Sequence, residues 1–179
     1  MNTLLEYLNK VKDNRRGQGK QYQLEYIILF SIFAALSGYT GNKDTARFIE
    51  EKFELLTEHF GLKWVRPPAA STIGYIYRSI DKESLEEQHR KYTEEALTNK
   101  PCKYLAIDGK VLRGSYSHMN DKKALNILNM FALDEQLVIA HYETSDKSNE
   151  IPAMQEFIKE IGLSDKVFTI DAMHCQKKL

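Results

Sequence analysis

The stretch YLAIDGKVL, residues 104–112, runs an apolar strand into an Asp-Gly pair and then resumes at once with Val111 and Leu112. Short runs rich in aliphatic and aromatic residues read as strand. Taken alone, Asp108-Gly109 is a hairpin-turn dipeptide. The immediate return to apolar residues, with the next glycine only at Gly114, favours a strand that continues through it. Downstream, residues 125–133 and 137–142 repeat the strand pattern around a tight Asp134-Glu135-Gln136 connection. Ile151, Met154, Phe157, Ile158 and Ile161 then share one helical face, with Ser148 or Asn149 as the cap and Gly162 as the stop. Residues 167–170, VFTI, form a fourth strand that leads into Asp171. The order is β-β-β-α-β. Three hairpin-linked strands and a fourth returned by a helix make a mixed sheet, because only the crossover delivers a parallel strand.

Working back toward the N-terminus, the period changes to that of helices. Leu24, Ile27, Ile28, Ser31 and Ala35 recur at helical spacing in a stretch apolar enough for a central buried helix, with Gly38 and Gly41 ending it. Asp44 is the expected N-cap of a second helix with Phe48, Ile49, Phe53, Leu56 and Phe60 inward and Gly61 at its close. After Pro67 and Pro68, Ser71 is the expected cap of a short helix carrying Ile73, Ile76, Tyr77 and Ile80. A last helix runs from about Lys82 to Leu97, with Leu85, Tyr92 and Ala96 inward. The fold class is α+β, a helical domain over residues 1–100 followed by a mixed-sheet domain over 101–179.

Composition excludes several classes. The 179 residues carry 25 basic and 25 acidic side chains, and neither half is a polybasic arm, so composition gives no reason to invoke nucleic acid or anionic membrane, and any such contact has to come from local patches. Two cysteines, Cys102 and Cys175, are too few for a disulfide framework. The longest apolar run, residues 26–36, falls short of the ~20 residues a membrane span needs. A cytoplasmic protein without membrane contact is the expectation.

The chemistry-bearing residues are Asp108 and Asp171. If the crossover lays the fourth strand beside the first, the two carboxylates meet at one edge of the sheet. Two close carboxylates repel unless a cation lies between them. Hard oxygen donors suit Mg²⁺ or Mn²⁺, and a metal pair ~3.5–4 Å apart activates water and stabilises the leaving oxygen in phosphodiester cleavage. Asp171 fits the cap of a following helix equally well. His174 and Cys175 lack a second pair at ligand spacing, and Glu150 already has a role opposite a helix dipole. Lys110 and Arg113 flank the first carboxylate as candidate phosphate contacts. Lys10, Lys12, Arg15, Arg16 and Lys20 form the best basic patch of the helical region.

Three segments in this order, LAIDGKVLRGS (105–115), KSNEI (147–151) and TIDAMHCQKK (169–178), resemble those of the ISAs-type insertion-sequence transposases, also called H-repeat-associated proteins. DNRRGQGKQYQLEYIILFSIFAALSG (13–38) and RPPAASTIGYIYRSID (66–81) are similar to the helical domain that precedes the catalytic core there. The resemblance implies a partial RNase H-like core whose DDE carboxylates bind two divalent metals, Mg²⁺ or Mn²⁺. It implies an enzyme that nicks DNA at transposon ends and joins the freed 3′ hydroxyl to target DNA. Asp108 would be the first acidic ligand and Asp171 the second, with Lys110 and Arg113 beside the first; apart from the resemblance, Arg15, Arg16 and Lys20 of the basic patch are the candidate DNA contacts of the helical region. It implies a bacterial DNA partner, action as a homo-oligomer on paired ends, and a location on the nucleoid when DNA is bound. The family pattern has a third acidic residue on a later helix that these 179 residues do not reach, which predicts no transposition activity for them alone. Two other readings stand beside this one: a helix-turn-helix-like DNA-binding module built on residues 44–60 and 71–80, and an inert transposon remnant. Glu50, Glu51, Glu54, Glu58 and Asp81 weigh against the module.

Overall fold

The computed structural model describes residues 3–97, 103–111, 126–144, 150–162 and 165–170. Two compact units divide the chain, Met1–Gln88 and His89–Leu179. The division lies inside one helix.

The first unit is helical. A short helix α1 (Leu4–Leu8) and a 3₁₀ turn (Gly17–Gly19) precede α2 (Leu24–Leu36). In α2, Ile27, Phe30 and Ala34 are fully buried, which is what its nearly unbroken apolar sequence requires. Its end follows from Gly38 at φ +85°. The Gly38 amide bonds the Ala35 carbonyl at 3.0 Å, and the Tyr39 amide reaches the Ala34 carbonyl at 2.9 Å. That paired arrangement satisfies carbonyls the helix leaves open and needs a left-handed residue at the turn. Tyr22 and Phe30 pack against Trp64, the only tryptophan, with edge-to-face geometry at 4.9 Å for Tyr22–Trp64, and Phe60 packs against Phe30.

Two boundaries differ from the sequence expectation. Residues 44–60 form two helices, α3 (Gly41–Glu51) and α4 (Phe53–His59), because Lys52 at φ −112°, ψ 15° leaves helical geometry. Thr40, not Asp44, precedes the first of them. Asp44 instead acts from within, its carboxylate accepting the Thr40 amide at 3.4 Å. The next helix, α5 (Ala70–Ser79), starts one residue before Ser71. Ala69 stands at its cap position and supplies no side-chain bond. The expected long helix is α6 (Lys82–Leu97), whose deeply buried positions are Gln88 and Thr93 rather than Tyr92.

The second unit contains a four-stranded sheet in the order β3-β2-β1-β4, built from β1 (Tyr104–Val111), β2 (Asn126–Ala132), β3 (Leu137–Thr144) and β4 (Val167–Ile170). β1 pairs antiparallel with β2 and parallel with β4. It passes straight through Asp108-Gly109, each paired across to β2, so the hairpin-turn reading of that dipeptide does not hold. The helix α7 (Glu150–Ile161) supplies Met154 and Phe157, both essentially inaccessible to solvent, to the core formed with Leu105, Ile107, Leu128 and Met130. The expected caps at Ser148 and Asn149 lie outside the described residues.

Candidate active site on the sheet

Alternation along β1 sorts its side chains. Leu105 and Ile107 enter the core beneath α7, so Ala106, Asp108 and Lys110 stand on the opposite face, where Asp108 and Lys110 are exposed. Opposite Asp108 on β2 is Asn129, and opposite Asn129 on β3 is His141. An aspartate, an amide and an imidazole thus form one transverse row on that face, spanning roughly 10 Å over two strand spacings.

The third member of the row depends on a local irregularity. Phe131 pairs with Val138 but Met130 pairs with Ala140, so Ile139 is an extra residue in β3. Its carbonyl accepts the hydroxyl of the buried Thr93 at 3.3 Å. The bulge shifts the phase of β3, returning Tyr142 to the α7 side, where its ring lies 5.5 Å from Phe157. His141 goes to the face that carries Asp108, with its ring 5.4 Å from His89. The Tyr142 hydroxyl bonds Glu156 at 3.2 Å, and that bond to a carboxylate holds the phenol above its usual pKa.

β4 runs beside β1 in the register Leu105↔Phe168, Ala106↔Thr169 and Ile107↔Ile170. Ile107 and Ile170 are the residues immediately before Asp108 and Asp171. Asp171 and Arg113 lie outside the described residues, as do His174 and Cys175. Among the described residues, the oxygen donors on this face include the Asp108 carboxylate, the Asn129 amide oxygen and the Glu143 carboxylate, which suit Mg²⁺ or Mn²⁺, while His141 adds a nitrogen donor on the same face.

The basic patch in the helical unit is rearranged relative to expectation. Arg15 does not face solvent: its side chain is 0% exposed. Its guanidinium donates to both Asp13 carboxylate oxygens at 2.9 Å, to the Gly19 carbonyl at 3.0 Å and to the Tyr22 carbonyl at 3.0 Å. The hydrogen bond from Arg15 holds the Asp13 carboxyl below its usual pKa. Arg15 therefore staples its own loop and is withdrawn as a DNA contact. The signal available in the sequence was an acid two residues before it. Lys20 is half-free, donating to the Asp13 carbonyl at 3.0 Å, and Arg16 is exposed. Lys12 approaches Asp81 at 3.9 Å, and Lys10 lies 4.8 Å from the Tyr7 ring centroid.

Residues 5–93 match the DDE_Tnp_1-associated family. The chain is 29% identical over 176 residues to the H repeat-associated putative transposase YhhI of Escherichia coli K12, covering 98% of this chain and 46% of that protein. It is 29% identical over 177 residues to the putative transposase YncI of the same strain, covering 71% of that protein, and 28% identical to the H repeat-associated putative transposase YbfD. The chain thus carries the DDE_Tnp_1-associated region and is similar over nearly its whole length to the H repeat-associated putative transposases. It spans about half the length of the first of these relatives.

Proposed function

We propose that the protein is a DDE-type DNA transposase whose first two metal-binding carboxylates are Asp108 and Asp171. The carrying observation is the parallel pairing of β1 with β4, in register up to Ile107↔Ile170. What supports the reading is that Ile107 and Ile170, the last described pair of that register, immediately precede Asp108 and Asp171 in the sequence. The strand order β3-β2-β1-β4 is that expected for the start of an RNase H-like core.

In this reading Asp108 and Asp171 hold Mg²⁺ or Mn²⁺, and bound metal supplies Lewis acidity at a DNA phosphodiester. The chain's own contribution is positional. Asp108 sits within β1, paired with Asn129 of β2 and following Ile107, which pairs with β4, so its carboxylate has little backbone freedom to lose on binding. Lys110, two residues on and on the same face, supplies positive charge for the phosphate backbone. Strand cleavage and joining at transposon ends are proposed for a protein of the relatives' full length.

The test is Mn²⁺ binding by the 179-residue chain, followed by calorimetry. Binding that falls at least tenfold in Asp108→Asn and again in Asp171→Asn, with thermal melting unchanged, supports the assignment. Equal Mn²⁺ affinity in the unchanged chain and both variants would sink it. Because Asp108 is exposed, its replacement by the isosteric amide leaves the melting midpoint essentially where it was.

A further inference from the structure

We propose that a groove in the helical unit, walled by the 3₁₀ turn and the start of α5, binds the sugar-phosphate backbone of duplex DNA. This rests on the reading of the chain as a DNA-handling protein and assigns the contact surface, at a place other than the sheet face and sharing only Arg16 and Lys20 with the basic patch expected from sequence.

Charge segregation carries the argument. Residues 14–24 contain three cations and no carboxylate; residues 62–80 contain three more cations and again no carboxylate. Nothing in a chain of zero net charge requires two such segments to meet, yet the fold lays them together. The Tyr22 hydroxyl donates to the Arg66 carbonyl at 3.3 Å, and Gly19 lies so close to Tyr75 that an added Cβ would stand 3.6 Å from its ring. Between them runs a groove of about 530 Å³ bordered by Gln18, Gln21, Arg66, Ser71, Thr72 and Tyr75. Its lining has hydroxyl and amide donors, one guanidinium and no acid. Arg16 and Lys20 bracket the 3₁₀ turn on either side. By contrast, residues 41–59, which form α3 and α4, carry five carboxylates against three cations.

The lining chemistry matches the phosphate backbone rather than base edges. Hydroxyls, amides and a guanidinium are the groups that contact phosphate oxygens in protein–DNA interfaces. Ala69 contributes no side-chain cap, so the first-turn amides of α5 add donors along the same wall. Arg66 and Arg16 are both exposed and, among the described residues, neither is in an ion pair. Their charge is available to a partner, whereas Arg15 has spent its own on Asp13.

The experiment uses the whole 179-residue chain and a fluorescein-labelled duplex of arbitrary sequence, with binding read by anisotropy at several salt concentrations. Arg66→Glu, Arg16→Glu and the double variant are compared with Lys43→Glu, a reversal on the exposed surface of α3. Trp64 fluorescence melts confirm that each variant is folded, and Arg66→Gln replaces any that is not. The expected result is a loss of roughly one unit of salt slope per groove reversal, with affinity down about tenfold or more in the double variant and little changed in Lys43→Glu. Undiminished DNA binding by the double variant overturns the groove and leaves the metal-site reading standing. Tighter binding of a single-stranded RNA of equal length overturns the duplex assignment. Failure of the unchanged chain to bind duplex at low salt also overturns the groove, while the metal-site reading is decided separately by Mn²⁺ titration.

Discussion

Replacing Arg15 with alanine separates a structural role from a DNA-binding one. The guanidinium makes four hydrogen bonds of 2.9–3.0 Å, two to Asp13 and one each to the Gly19 and Tyr22 carbonyls, from a side chain with no solvent exposure. Truncation leaves two carbonyls without that donor and the Asp13 carboxylate with only the Arg15 backbone amide as donor, at 3.1 Å. Removing one partner of a buried ionic network costs about 3–5 kcal/mol. Asp13 keeps 22% exposure and has the Lys20 ammonium 3.8 Å away, so the lower end applies here. We expect about 3 kcal/mol, or roughly 15 °C in melting temperature for a unit of this size. The single tryptophan, Trp64, packs on Tyr22 in the same unit, so its fluorescence during thermal or urea unfolding reads the loss directly. Arg15→Lys restores little, because an ammonium lacks the planar fork that spans both carboxylate oxygens and two carbonyls. The pH dependence has a definite sign. The folded Asp13 carboxyl lies below its ordinary value, so its contribution is present above that value and is lost as pH falls through the folded pKa. Asp13→Asn should therefore be less stable near neutrality yet lose less on acidification. A melting point for Arg15→Ala within 2 °C of the unchanged chain would refute the staple. Coupled to a collapse in DNA affinity, that result would restore Arg15 as a surface contact.

Phe157→Ala removes the largest α7 side chain from the sheet core, where it is 0% exposed, and should cost about 3–5 kcal/mol. Hydrogen exchange of the β1 and β2 amides would show it, and unchanged protection would mean that α7 does not cover the sheet as described. Gln136 adopts φ +52° in the β2–β3 turn, a conformation that favours glycine. Gln136→Gly should therefore stabilise the same unit by up to about 1 kcal/mol in thermal unfolding, and a decrease would count against that turn geometry.

The second unit was legible from pattern because its constraints are local and redundant. Apolar runs of four to eight residues bounded by turn residues named all four strands, and only a helix could return the last of them beside the first. Helix existence was equally clear in the first unit, but helix starts were not. Asp44 and Ser71 are good capping types at plausible offsets, yet Thr40 and Ala69 occupy the cap positions. Capping is worth about 1 kcal/mol, and packing of Ile73, Ile76 and Phe48 into the core readily overrides it. Arg15 was misread for a related reason. Charge patterning shows where cations occur and not which of them the fold consumes, and a backbone turn that points two carbonyls at one guanidinium is a tertiary fact.

The Asp108–Asn129–His141 row shows where strand pattern runs out. Counting outward from the β2–β3 turn, Ala132↔Leu137 and Phe131↔Val138 set a register that, continued evenly, pairs His141 with Leu128 and points its imidazole into the core beneath α7. The extra residue, Ile139, advances the pairing by one, so His141 faces the same side as Asp108 while Tyr142 takes the core position. No residue in LVIAHYET announces a bulge; every position from Leu137 to Tyr142 is compatible with a regular strand. What fixes it is the agreement of separate contacts: the buried Thr93 hydroxyl on the Ile139 carbonyl, Tyr142 against Phe157, and His89 beside His141. A regular β3 would forfeit these contacts and bury an imidazole among Leu128, Met154 and Phe157, at a desolvation cost of several kcal/mol if charged. The polar composition of the candidate face is therefore set by helix packing acting through one unpaired residue.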